Sequence, residues 1–152
     1  MPMTTPMTTP TILETDLASR LRFTVMRLAR RLRQTGDGDA TLSQLSALSS
    51  IDHRGPLTLG ELAAVERVAP PSMTRIVSRL EERGLVSREV DAADRRVARV
   101  RTTAEGKRML ERSRNKKTAY LAARIDKLSD NERGLLQQAL PVIERLMGDI
   151  DK

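Results

Sequence analysis

Along most of this chain apolar residues recur three and four positions apart, the spacing of a buried helix face, and only one stretch changes to alternation. Leu17, Leu21, Val25 and Leu28 predict one face of a first helix over roughly Ile12–Gln34, ended by Gly36-Asp-Gly38. Leu45, Leu48 and Ile51 predict a second over about Leu42–His53, stopped at Gly55-Pro56. A short third helix begins at Leu59, with Leu62 and Ala63 on its apolar stripe. Val68-Ala-Pro-Pro71 breaks it, because proline disfavours helix in the residue before it, and a fourth helix opens with Pro71 at its first position. In that helix Met73, Ile76, Val77 and Leu80 stand at i, i+3, i+4 and i+7, with Gly84 as the expected C-cap. The alternating runs Leu85–Val90 and Val97–Arg101, separated by polar Asp91–Arg96, predict a β-hairpin. Two longer helices follow, about Thr103–Leu128 and Asp130–Asp149, and Pro141 is expected to kink or split the last.

The helix starts carry their own signature. In Ser/Thr-x-x-Glu/Gln the hydroxyl and the third side chain each accept a backbone N–H that the helix leaves unpaired. The pattern stands at Thr11/Glu14, Thr41/Gln44, Thr58/Glu61, Thr102/Glu105 and Ser129/Glu132. Ahead of them, residues 1–10 repeat Met-Thr-Thr-Pro, contain three prolines and no charged side chain, and read as a disordered tail.

Charge sharpens the pattern. The 152 residues include 27 Lys and Arg against 20 Asp and Glu, for a net charge of +7. From Arg67 to Lys117 there are 15 basic and 7 acidic residues, and the remainder of the chain is nearly neutral. One basic segment is what a polyanion-binding surface requires. Aromatic residues are limited to Phe23 and Tyr120, so platforms on which single-stranded bases would stack are lacking and duplex DNA is the better polyanion. No cysteine is present, which excludes thiol chemistry and Cys-ligated zinc. A chain of this length buries about 70% of its unfolded surface and needs no structural metal. No apolar run reaches the roughly 18 residues of a membrane span, and the N-terminus lacks a signal-peptide pattern. The expected location is the cytoplasm.

The fourth helix turns Ser72, Thr74, Arg75, Ser78 and Arg79 away from its apolar face. Short hydroxyls and arginines reach phosphates and base edges in a major groove without blocking it. The hairpin tip adds Arg95 and Arg96, side chains suited to a narrow minor groove, and Asp94 is expected to orient one of them through an ion pair. A polar surface helix and an ordinary charged turn are the plainer alternatives.

Gly55-Pro-Leu-Thr-Leu-Gly-Glu-Leu-Ala63, Pro71-Ser-Met-Thr-Arg-Ile-Val77, Leu80-Glu-Glu-Arg-Gly-Leu-Val86, Asp94-Arg-Arg96 and Thr102-Thr-Ala-Glu-Gly106 together resemble the multiple antibiotic resistance regulator (MarR) family. The resemblance implies a mainly α fold with a small β-hairpin wing: a winged helix-turn-helix lobe, residues 41–102, flanked by dimerisation helices over 11–40 and 103–152. It implies a homodimer that binds a pseudo-palindromic operator in double-stranded DNA, most often as a repressor. Pro71, Ser72, Thr74 and Arg75 would meet bases or phosphates, and Arg96, supported by Asp94 and Arg95, would enter the minor groove. A small anionic or aromatic effector, held between the dimer helices and the lobe, is the further partner the family suggests.

His53 is the single histidine. It is expected to end the second helix as a cation or a partly buried side chain, with contact to an effector as the lesser alternative. Without a histidine cluster, a phosphate-cradling loop or a nucleophile elbow, an enzyme finds little support, and neither cofactor nor metal is expected. A protein-interaction winged helix and a sequence-independent architectural DNA binder remain as competing readings.

Overall fold

A computed structural model describes residues 12–36 and 40–148 of the chain. The order is α1 (Ile12–Thr35), α2 (Leu42–Arg54), β1 (Leu57–Thr58), α3 (Leu59–Glu66), α4 (Pro70–Glu82), β2 (Val86–Val90), β3 (Ala98–Thr102), α5 (Ala104–Ile125) and α6 (Asp130–Met147). The tail repeat and the Thr11 cap lie outside the described residues.

Three of the expected capping boxes form. Thr41 and Gln44 open α2, Thr58 and Glu61 open α3, and Ser129 and Glu132 open α6, each hydroxyl accepting the N–H three residues on. The fourth moves by one residue. Thr102 ends β3 opposite Val86 with its side chain buried, so Thr103 caps α5, accepting the Gly106 N–H at 3.1 Å. Glu105 is thereby released from the box and pairs with Arg108 and Arg112.

α3 stops before its prolines. Arg67 adopts the left-handed conformation at φ 53°, and Val68 N–H closes back on Ala63 O at 3.0 Å. For a residue with a side chain this geometry costs about 1 kcal/mol, so the turn is set by tertiary packing rather than by a glycine. The first position of α4 belongs to Pro70, with Pro71 second. Neither proline has an N–H to leave unpaired, and the Ser72 and Met73 N–H groups both reach Ala69 O, which is why Ala69 suffices as an N-cap. At the other end Arg83 is the C-cap, and Gly84 follows at φ 69° where the chain swings into β2.

The sheet has three strands, not the expected two, in the order β1-β3-β2, all antiparallel. Leu57 and Thr58 pair with Val100 and Arg99, so the segment between α2 and α3 anchors the hairpin to the helices. The core lies here: Leu48 and Ile51 of α2, Leu62 of α3, Met73, Val77 and Leu80 of α4, and Val100 of β3 are almost wholly buried, joined by Met109 and Leu110 of α5. Glu66 straps α2 to α3 by accepting the hydroxyls of Ser46 (2.6 Å) and Ser50. α5 presses against the hairpin at Gly106, where a Cβ would stand 2.2 Å from Leu85 O. α1 and α6 contribute no buried residue. α6 runs unbroken through Pro141; both Pro141 and Gln137 are exposed, so the carbonyl deprived of its usual donor faces water.

Candidate nucleic-acid interface

α4 carries two chemically distinct faces. Met73, Val77 and Leu80 are sunk in the core, while Pro71, Thr74, Arg75 and Arg79 are exposed and Ser72 and Ser78 half-buried. Two of these polar groups are already engaged. The Thr74 hydroxyl donates to Pro70 O at 3.0 Å, which leaves it only as an acceptor toward an outside group. Ser78 Oγ accepts a long hydrogen bond, 3.5 Å, from Arg88 of β2. Arg75 and Arg79 have no acidic partner among the described residues and project freely from the helix.

The wing tip is built by two aspartates. Asp91 Oδ1 accepts the N–H groups of Ala93 (2.8 Å) and Asp94 (3.3 Å), and Asp94 Oδ1 accepts the Arg96 N–H at 3.0 Å. Asp91 N–H and Val97 O close the loop at 2.8 Å. The expected ion pair of Asp94 with a tip arginine does not form: its carboxylate turns to the Arg96 backbone, because side chain to nearby N–H closes a tighter ring. Arg95 and Arg96 extend exposed, without an acidic partner among the described residues.

The ion pair stands instead at the wing's base, on Arg99, which the sequence did not single out. Arg99 Nε donates to Asp91 Oδ2 at 2.7 Å, and its Nη1 donates to Glu61 Oε2 at 3.2 Å. Arg88 Nε pairs with Glu81 of α4 at 3.1 Å, and Arg101 with Glu89 across the strands at 3.1 Å. The Arg99 guanidinium and the N–H groups of Ala93 and Asp94 hold the Asp91 carboxyl below its ordinary pKa. Glu61 is lowered first by the Thr58 N–H it accepts and then by Arg99, whose own pKa is raised chiefly by Asp91. The hint in the sequence was strand alternation, which sets Arg99 and Arg101 on one face of β3 near Glu89.

His53 lies exposed in the last turn of α2, which removes the partly buried alternative for it. Among the described residues no cluster of His, Asp and Glu fit to hold a metal is found, and no helix is long and apolar enough to cross a membrane.

The arginines thus divide into two sets. Those at the base of the wing are paired with acids: Arg88 and Arg99 hold the hairpin to α4 and α3, and Arg101 ties β3 to β2. Those on the outer face of α4 and at the wing tip are left to face outward, a surface chemically suited to a polyanion.

Comparison with known proteins agrees with that geometry. The MarR family profile matches residues 40–98, from the entrance of α2 to the start of β3. An uncharacterized HTH-type transcriptional regulator of Mycobacterium leprae is 38% identical over 88% of this chain and 94% of its own. The crystal structure of a putative transcriptional regulator from Pseudomonas aeruginosa is 35% identical, covers 91% of this chain and 99% of its own, and superposes with a TM-score of 0.78. A mutant of Staphylococcus aureus MepR bound to an oligodeoxyribonucleotide shares the fold at a TM-score of 0.70 and 19% identity, over 86% of this chain and 97% of its own. The chain belongs to the MarR family and is a winged helix-turn-helix, DNA-binding transcriptional regulator.

Proposed function

We propose that the protein acts as a homodimeric repressor that binds a pseudo-palindromic operator, with α4 in the major groove and the wing tip in the flanking minor groove. The observation that carries this reading is the pairing pattern: Arg75, Arg79, Arg95 and Arg96 are exposed and lack acidic partners among the described residues, whereas the arginines at the wing's base are paired. Two prolines at the start of α4 remove the backbone donors that a helix N-terminus usually offers to phosphate. Contact from that end then falls to side chains: Ser72 as donor, Thr74 as acceptor, Arg75 toward guanine edges, with Pro71 packing on the backbone. Ser78 and Arg79 follow one turn on, nearer the phosphates. Arg96, backed by Arg95 and held by Asp94, is the minor-groove finger.

The dimer reading is supported by the outer helices. Leu17, Val25 and Leu28 of α1 and Leu135, Leu140 and Val142 of α6 are all more than two-fifths exposed, apolar stripes that a second copy would cover. MepR, solved with an oligonucleotide, is a fold-level precedent for DNA on this architecture.

Selection from a pool of random duplexes tests the reading. The expected product is two inverted half-sites about one helical turn apart, bound by one dimer and preferred over random DNA by roughly 10³-fold or more. Binding without sequence preference, or a single half-site bound by a monomer, would overturn it. A reporter with the recovered site beneath its promoter should lose expression when the protein is supplied.

A further inference from the structure

A continuous set of polar contacts runs from the helix-turn-helix to the tip of the wing. It begins at Glu61, which caps α3 by accepting the Thr58 N–H at 2.8 Å. The same carboxylate oxygen accepts from Arg99 on β3 at 3.2 Å, and Arg99 donates onward to Asp91 Oδ2 at 2.7 Å. The other oxygen of Asp91 shapes the tip turn through Ala93 and Asp94, and Asp94 in turn holds the backbone of Arg96. A two-stranded ribbon by itself has freedom to swing about its base. Here β1 and the Arg88–Glu81 pair already hold the base, and Arg99 adds a guanidinium whose two donors point at acids on different elements, tying the tip turn to α3.

From this juxtaposition we infer that Arg99 is the positioning residue of the wing: bridging Asp91 and Glu61, it sets the direction in which Arg95 and Arg96 leave the lobe, and so determines preference at the base pairs flanking each half-site. The inference rests on the reading of the wing as a minor-groove reader. Arg99 acts through Arg96, not by touching DNA. A fork geometry matters, since a lysine presents a single ammonium to two separated carboxylates. Arg99→Lys should therefore recover only part of the loss.

The test is a double-mutant cycle on the full chain, using the duplex recovered by selection and a library varied only at its flanks. Arg99→Ala is expected to weaken binding by about fivefold to tenfold and to flatten the flanking preference, with preference inside the half-sites unchanged. In the Arg96→Ala background it should add less than about twofold, the mark of two residues acting through one contact. The salt dependence should not change beyond that of Arg96→Ala alone. Arg101→Ala, which breaks a neighbouring exposed pair on the same strand, should keep the parent's flanking preference. Asp91→Asn, which retains the turn's acceptor oxygen but loses the carboxylate facing Arg99, should reproduce Arg99→Ala and guards against a variant that fails to fold.

If losses from Arg96→Ala and Arg99→Ala are additive, with the log–log salt slope falling by about 0.9 for each lost contact, Arg99 is itself a phosphate ligand and the inference fails. It also fails if Arg99→Ala keeps its flanking preference while Arg96→Ala loses it; the minor-groove reading then survives alone. Flanking preference untouched by Arg96→Ala overturns both.

Discussion

In the winged lobe Leu48, Leu62, Met73, Val77 and Leu80 have no exposed surface, and their neighbours come from α2, α3, α4, β3 and the first turns of α5. In α1 and α6 the same residue types are turned outward: Leu17 is 66% exposed, Leu135 58% and Leu146 67%. Both regions have helical apolar spacing, so periodicity alone does not distinguish them. The difference is what lies opposite the stripe. In the lobe the partner is another element of the same chain; α1 packs only in part on α5, and Leu17, Leu135 and Leu146 stay uncovered by the described residues, the arrangement expected if a second copy covers them. The polar residues divide in a parallel way, with paired arginines inside the lobe's framework and unpaired ones on its outer edge.

Substitutions that attack the lobe's core should have the largest effect. Leu48→Ala removes a fully buried side chain at the centre of the α2–α3–α4 packing and should lower unfolding free energy by about 3–5 kcal/mol in urea titrations. Leu17→Ala, an identical change on α1, should leave lobe unfolding nearly untouched when measured on a dilute, dissociated sample. Next comes Gly106→Ala, where a Cβ would overlap Leu85 O at 2.2 Å and Thr102 Cγ2 at 2.8 Å. Moving α5 off the hairpin to admit it should cost about 2–3 kcal/mol, read by thermal or urea melts. Leu17→Glu combined with Leu140→Glu should leave only monomer in sedimentation, abolishing the proposed dimer, while the helix content of the lobe persists. Affinity for a two-half-site duplex should then drop by about tenfold to 10²-fold as tethering is lost. Arg75→Ala should leave melting unchanged, weaken binding by about 1–3 kcal/mol, and relax preference at one base position in each half-site.

How far the sequence revealed this molecule depended on how local each cause was. Capping boxes at Thr41, Thr58 and Ser129 could be read directly, since both partners lie within four residues. The buried face of α4 was equally plain because spacing alone defines it. What escaped were features decided at a distance. Two-residue β1 exists only because β3 lies beside it, and Thr102 was taken by that sheet, leaving Thr103 to cap. Arg67 occupies a left-handed turn for which no glycine signalled. Arg99 meets Glu61 across 38 residues of sequence, so nothing near either one announced the brace. The candidate residues on α4 and at the tip, Asp94 among them, stood out by their chemistry; Arg99 at the wing's base did not.

The division of arginines into structural and outward-facing sets is tested most directly by the salt dependence of binding to the selected duplex. Outward arginines repeated in both protomers of the proposed dimer predict a log–log slope steeper than about −4, and a shallower slope for Arg79→Ala, the arginine placed nearest the phosphates. An affinity that hardly changes between about 50 and 200 mM salt would show that these arginines do not meet phosphate, and the account of the outer face would be wrong.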